Sequence, residues 1–106
     1  MIVSSGYNIG APEVEKALYG HPAVLECAVI GVPCVERGMK VKAFIVVAEG
    51  YTADPSLAKA LQDHVKAAIA PYKYPREIAF LDALPKTATG KIQRFALRQA
   101  SVETRP

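Results

Sequence analysis

Cysteine is scarce: Cys27 and Cys34 are the only two in 106 residues. Two are too few for a disulfide scaffold in a chain of this size. No Cys and His spacing suggests zinc, so no metal site is expected. Cys27 lies in an apolar run and is expected to act as a small core hydrophobe. No apolar stretch is long enough to span a membrane, and no signal-peptide pattern is present. Together these absences point to a reducing, soluble compartment, most simply the cytoplasm. Internal repeats and low-complexity tracts are also missing.

What is present is enough for one domain. About half the residues, 51%, are apolar, which argues for a modest core and against disorder. The net charge of +3 is unevenly spread. From Pro71 onward there are seven Lys or Arg against three Asp or Glu, whereas the earlier part has six against seven. The C-terminal third therefore favours an anionic partner, or simply presents a solvated basic face. It lacks the dense basic and aromatic pattern of nucleic-acid modules.

The order of elements can be read along the chain. Ile2-Val3 is a short apolar fragment running into a glycine-bearing loop, Ser4 to Gly10. Pro12 suits a helix first turn, and Val14, Ala17 and Leu18 follow at helical spacing up to the break at Gly20-His21-Pro22. Val24 to Val32 is β-branched and nearly all apolar, which predicts a central strand. Lys40 to Ala48 predicts a second strand, antiparallel to the first. Its start alternates Lys40 and Lys42 with Val41 and Ala43, one wet face and one buried. Asp54-Pro55 opens a helix with a Leu57, Leu61, Val65, Ile69 stripe that Pro71 ends. Arg76 to Leu81 predicts a third strand, and Gln93 to Ala100 a final helix. The fold class expected is α+β, a small, mainly three-stranded sheet with helices packed on it.

Two loops carry candidate chemistry. Pro85-Lys86-Thr87-Ala88-Thr89-Gly90-Lys91 is short, polar and basic. Gly90 lets the backbone turn sharply or pass close to a ligand. Lys91 is a compact charge on a flexible stem, suited to phosphate or carboxylate oxygen, though a solvated lysine fits the same pattern. A phosphate-binding loop is excluded, because Pro85 stands where that motif needs Gly and Ile92 where it needs Ser or Thr. In Ser5-Gly6-Tyr7-Asn8-Ile9-Gly10, two glycines flank an aromatic. Such a loop could lie against an extended ligand or be an ordinary turn.

Taken together, these segments resemble a known family. Ser-Gly-Tyr-Asn-Ile-Gly-x-x-Glu-Val-Glu near the start and Leu-Pro-Lys-Thr-x-Thr-Gly-Lys-Ile-Gln-Arg near the end are similar to the C-terminal domain of the adenylate-forming superfamily. That group includes acyl- and aryl-CoA synthetases, luciferases and peptide-synthetase adenylation domains. His21-Pro22-Ala23-Val24, Ala28-Val29-Ile30-Gly31, Arg37-Gly38, Val41-Lys42-Ala43-Phe44 and Tyr72-Lys73-x-Pro75-Arg76 follow in the family's order. The first loop most resembles acyl-CoA synthetases of the medium-chain and aromatic-acid type.

The resemblance implies a lid domain, residues 1–106, of an AMP-forming carboxylic acid:CoA ligase whose large N-terminal domain is absent from this chain. In such enzymes an acid attacks ATP to give acyl-adenylate and pyrophosphate. The thiol of CoA then displaces AMP, and the small domain adopts a different orientation for each step. Lys91 matches the family's adenylation lysine, stabilising carboxylate and nucleotide oxygens as they meet. Acetylation of that lysine would remove its charge. Gly90 gives the loop its reach. Ser5, Gly6, Tyr7 and Asn8 match the segment facing the pantetheine arm of CoA. Lys66, Tyr72 and Arg76 fall near family positions for the CoA nucleotide; Tyr72 could stack on adenine or pack in the core, and Arg76 could pair with phosphate. ATP/AMP and CoA belong to the full-length enzyme, with Mg2+ entering with ATP through the large domain, and none is expected to bind this fragment tightly.

Several positions depart from the family pattern. Asn8 stands where many members carry Arg. Cys34 and Met39 replace residues that are usually acidic and are expected in the strand connection. Met1 stands where the hinge Asp or Lys is expected. The isolated chain is expected to catalyse neither step. The alternative is a stand-alone, non-catalytic module that binds CoA or docks on a partner; a nucleic-acid partner and a membrane span are not expected.

Overall fold

A computed structural model describes residues 2–4, 7–35, 38–94 and 96–97. Helix α1, Ala11–Tyr19, begins where Pro12 can occupy the first turn without losing a hydrogen bond. Val14 and Leu18 lie one turn apart on one face, and both are fully buried. At its C-terminus the Gly20 N–H donates to the Ala17 carbonyl at 3.1 Å and the His21 N–H to the Leu18 carbonyl at 3.0 Å. Helix α2, Pro55–Ala68, starts at Asp54, whose carboxylate accepts from the Leu57 N–H at 2.8 Å. The stripe expected on α2 is the face it buries: Leu61 and Val65 are fully enclosed, with Leu57 and Ile69 packed beside them. Enclosing one such leucine contributes about 1.5–3 kcal/mol.

Among the described residues the sheet has five strands. Strands β3 (Val24–Cys34) and β4 (Gly38–Val47) form a long antiparallel pair, and β5 (Glu77–Phe80) runs parallel to β4 opposite Lys42 to Ile45. These three strands are the body of the sheet foreseen from the sequence. Strands β1 (Ile2–Ser4) and β2 (Tyr7–Ile9) form an antiparallel hairpin that joins β4 through Ser4 and Gly38. The segment from Ser4 to Gly10, read from the sequence as a loop, is thus partly strand. Three-residue strands are too short to display an alternating pattern.

Strand β4, not β3, is the central strand. Strand β3 is apolar because both of its faces are covered. Cys27, Val29, Val41, Ala43 and Ile45 point to one side and form a core with α1 and α2. Ala28, Ile30, Val32, Phe44 and Val46 point to the other, under Leu84, Ile92 and Leu97. The outer edge of β3 is capped by α1. The Val29 N–H donates to Glu15 Oε2 at 2.8 Å and the Cys27 N–H to the Tyr19 hydroxyl at 3.2 Å, so side chains protect an edge that would otherwise invite another strand. A bulge between Val24 and Glu26 turns Leu25 outward, leaving it 59% exposed.

Two further details differ from expectation. Lys42 is buried, at 8% exposure, rather than on a wet face. Glu77 on the neighbouring strand reaches Lys42 at 2.9 Å and Lys40 at 3.0 Å, and Lys42 Nζ lies 4.9 Å from the Phe44 ring centre. A buried cation is tolerable when a counter-charge accompanies it. Cys34 and Met39 belong to β3 and β4 rather than to their connection, with Met39 opposite Pro33 and packed on the core. Of the final helix expected over Gln93 to Ala100, Gln93 precedes the helical backbone, Arg94, Ala96 and Leu97 are helical, and positions 95 and 98–100 lie outside the described residues.

Candidate functional site

The loop bearing Lys91 is a closed hairpin. Lys86 and Ile92 bridge antiparallel across its base. Inside it the Thr87 N–H donates to the Lys91 carbonyl at 2.8 Å, and the Gly90 N–H to the Thr87 carbonyl at 2.9 Å. The Lys91 N–H donates to the Thr87 hydroxyl at 3.1 Å. This is the pattern of a short hairpin loop whose last residue is left-handed, and Gly90 holds φ of 87°. A Cβ on Gly90 would meet nothing within 4 Å, so conformation rather than space requires glycine. Lys91 is exposed at the hairpin end, with no acidic partner among the described residues.

Ion pairs hold the hairpin at both flanks. Lys86 Nζ lies 2.5 Å from Glu26 on β3. Arg94 Nη2 lies 2.7 and 2.6 Å from the two carboxylate oxygens of Glu15 on α1. Charge-assisted contacts of this length are among the stronger hydrogen bonds. Leu84, Ile92 and Leu97 anchor the same segment to the sheet through apolar contact.

A second cluster lies on the opposite face, where α2 packs. Lys66 Nζ lies 4.3 Å from the Tyr74 ring centre and the Arg76 guanidinium carbon 4.5 Å from it. Arg76 Nη1 also donates to the Tyr74 hydroxyl at 2.6 Å. Two cations sharing one aromatic ring give a charged platform suited to an anion, and cation–π attraction offsets part of their repulsion. Lys66 and Arg76, each read from the sequence as lying near family positions for the CoA nucleotide, both rest against the Tyr74 ring. Tyr74 was missed; the signal was its place two residues before Arg76 in Tyr72-Lys73-Tyr74-Pro75-Arg76. The backbone of Tyr72 lies in a 3-10 turn, Pro71–Lys73, and its side chain lies outside the described set.

For the first loop, Tyr7 and Asn8 form part of β2, their side chains lie outside the described set, and Ser5 and Gly6 lie outside the described residues. Strand β1, which leads into Ser5, meets β4 at Gly38. Arg76 leads into β5 with its N–H on the Val41 carbonyl. Because β3 occupies the other edge of β4, β1 and β5 share one edge. The structure brings Lys66 and Arg76 together and keeps Lys91 on the other side of the sheet.

Titration follows the packing. Burial, then the Glu15 charge, pushes the Cys27 thiol up to about 12, so it is an inert core group. Burial would raise Glu77, but hydrogen bonds and charge from Lys42 and Lys40 outweigh it and hold the carboxyl below its ordinary value.

An α+β domain built this way, with a glycine-lysine hairpin under one face, belongs to a recognised class. Residues 13–91 match the family model of the AMP-binding enzyme C-terminal domain, and the chain belongs to that family. It is 54% identical over 99 residues to the uncharacterized acyl-CoA ligase YtcI of Bacillus subtilis, covering 93% of this chain and 19% of that protein. It is 59% identical over 100 residues to the mitochondrial acyl-coenzyme A synthetase ACSM2A of Homo sapiens, covering 92% of this chain and 17% of that protein. Among solved structures, an acyl-CoA synthetase of Brucella canis superposes with a TM-score of 0.93 at 54% identity, over 96% of this chain and 19% of its own. The chain therefore spans about a fifth of the length of the relatives it matches. No helix among the described residues is long and apolar enough to cross a membrane.

Proposed function

We propose that the chain is the mobile C-terminal lid of an AMP-forming carboxylic acid:CoA ligase, working against a large N-terminal adenylation domain. Lys91 serves the first step. Its charge meets the substrate carboxylate and nucleotide oxygens as the acyl-adenylate forms. The observation that carries this reading is the Lys91 hairpin, an exposed lysine at the end of a loop fixed by its own hydrogen bonds. A preorganised cation needs little reorganisation at the moment of reaction, and one such donor is worth about a hundredfold to a thousandfold in rate. Gly90 sets the turn that aims it.

The second step draws on the other side of the sheet. Ser5, Gly6, Tyr7 and Asn8 line the path of the pantetheine arm, and Lys66, Arg76 and Tyr74 or Tyr72 receive the CoA nucleotide. The cationic platform at Tyr74 has the chemistry that phosphate groups require. Tyr74, the ring of that platform, packs on the core of one face of the sheet, and Ile92, next to Lys91, on the core of the other. A single docking orientation does not present both faces to one active site, which supports a lid that rotates between steps. ATP/AMP and CoA are substrates of the whole ligase, and Mg2+ enters with ATP on the large domain.

Alone, the chain catalyses neither step, since nothing among the described residues replaces an ATP pocket or an acyl pocket. Purified chain mixed with ATP, Mg2+ and carboxylic acids should release no pyrophosphate. Acid-dependent release would overturn this part of the reading.

A further inference from the structure

Glu15 belongs to the first motif and Arg94 to the second, 79 residues apart in sequence, and neither has a part in the function described so far. Glu15 is the best-connected carboxylate of α1. Its side chain is only 14% exposed. One oxygen accepts from the Val29 N–H at 2.8 Å, and both oxygens contact Arg94 Nη2. It therefore touches three parts at once: α1, the edge of β3 and the segment three residues beyond Lys91. Gln93, next to Arg94, donates its N–H to the Pro85 carbonyl at 2.8 Å and closes the hairpin base.

We propose that Glu15 is a positioning residue for the adenylation lysine, acting through Arg94. The carboxylate, fixed by the Val29 amide, holds Arg94. Arg94 in turn holds the hairpin base and fixes the direction in which Lys91 leaves the domain. This inference rests on the reading of Lys91 above. Misplacing a reacting group by about 1 Å can cost about a hundredfold, and a clamp at the loop base controls that displacement. Because a single nitrogen makes both carboxylate contacts, the guanidinium fork is not needed here, and a lysine at position 94, one bond shorter, keeps the charge that Glu15 holds.

The test has two arms. In the longer ligase carrying this domain, Arg94→Ala should slow adenylation about tenfold to a hundredfold. Thioester formation from supplied acyl-adenylate should be unchanged. Glu15→Gln should slow adenylation less, Arg94→Lys should retain most of the rate, and Glu15→Gln with Arg94→Ala should be no slower than Arg94→Ala alone. In the 106-residue chain, hydrogen exchange at the Thr87, Gly90 and Gln93 amides should accelerate in Arg94→Ala, while β3 and β4 amides keep their protection. Unchanged adenylation in Arg94→Ala, with Lys91→Ala inactive in the same assay, overturns the proposal. So does equal loss of both half-reactions with protection lost throughout β3 and β4, which marks a structural prop. If Lys91→Ala itself leaves adenylation intact, the lysine's role falls, and exchange at Thr87 and Gly90 still decides whether the clamp exists.

Discussion

The two faces of the sheet are covered in different ways. One lies under two helices that bury Val14, Leu18, Leu61 and Val65 completely. The other lies under a single irregular segment that contributes Leu84, Ile92 and Leu97 and is pinned by Lys86–Glu26 and Arg94–Glu15. The first arrangement supplies stability through apolar area. The second supplies less area but fixes a loop in space, which is what a group that must meet a substrate requires. The difference predicts that mutations on the helical face act on folding, and mutations on the loop face act on geometry.

Leu61→Ala should break the helical face most severely. Truncating a fully buried leucine costs about 2–5 kcal/mol, readable as a lowered urea midpoint with unchanged slope. A loss below about 1 kcal/mol would mean that α2 is not the lid of the core described here.

Gly90→Ala should sharpen the contrast. The added methyl meets no neighbour, so the only cost is the left-handed backbone, about 1–2 kcal/mol. Relaxing that strain redirects Lys91. Adenylation in the longer ligase should slow while thioester formation persists, and the urea midpoint should fall less than in Leu61→Ala.

The smallest effect is expected from acid. Glu77 is held below its ordinary value of 4.5 by Lys42 and Lys40, against the opposing pull of burial. A depressed folded value means that its contribution is complete above about 4.5 and is lost as pH falls through the folded value. The carboxylate is partly solvated, so screening reduces the contribution. Thermal denaturation of Glu77→Gln should differ from the unaltered chain at neutral pH, with the gap closing in acid. A gap that widens in acid contradicts the assignment.

Much of the helical face was legible in the sequence. The Asp54-Pro55 start and the α2 stripe are local signals, and they gave the right helix and the right buried side. Strand β3 misled in one respect. Its apolar run reports coverage of both faces, which a central position and an edge strand under two layers produce equally. Lys42 misled because its partner, Glu77, is distant in sequence and adjacent only through parallel pairing. The hairpin at Gly90-Lys91 was legible because glycine and lysine adjoin in a polar loop. The clamp was not, since Glu15 and Arg94 meet only once α1 and the chain end pack beside β3. Tyr74 was hidden for a similar reason: its contact with Lys66 depends on α2 bringing that side chain over its ring.

The most direct test is Lys91→Ala in the longer ligase, with the two half-reactions assayed separately. The account predicts that acid-dependent ATP–pyrophosphate exchange falls by about a hundredfold or more, while thioester formation from supplied acyl-adenylate survives. If exchange proceeds at the unaltered rate, the hairpin does not deliver the adenylation lysine, and the central claim is contradicted.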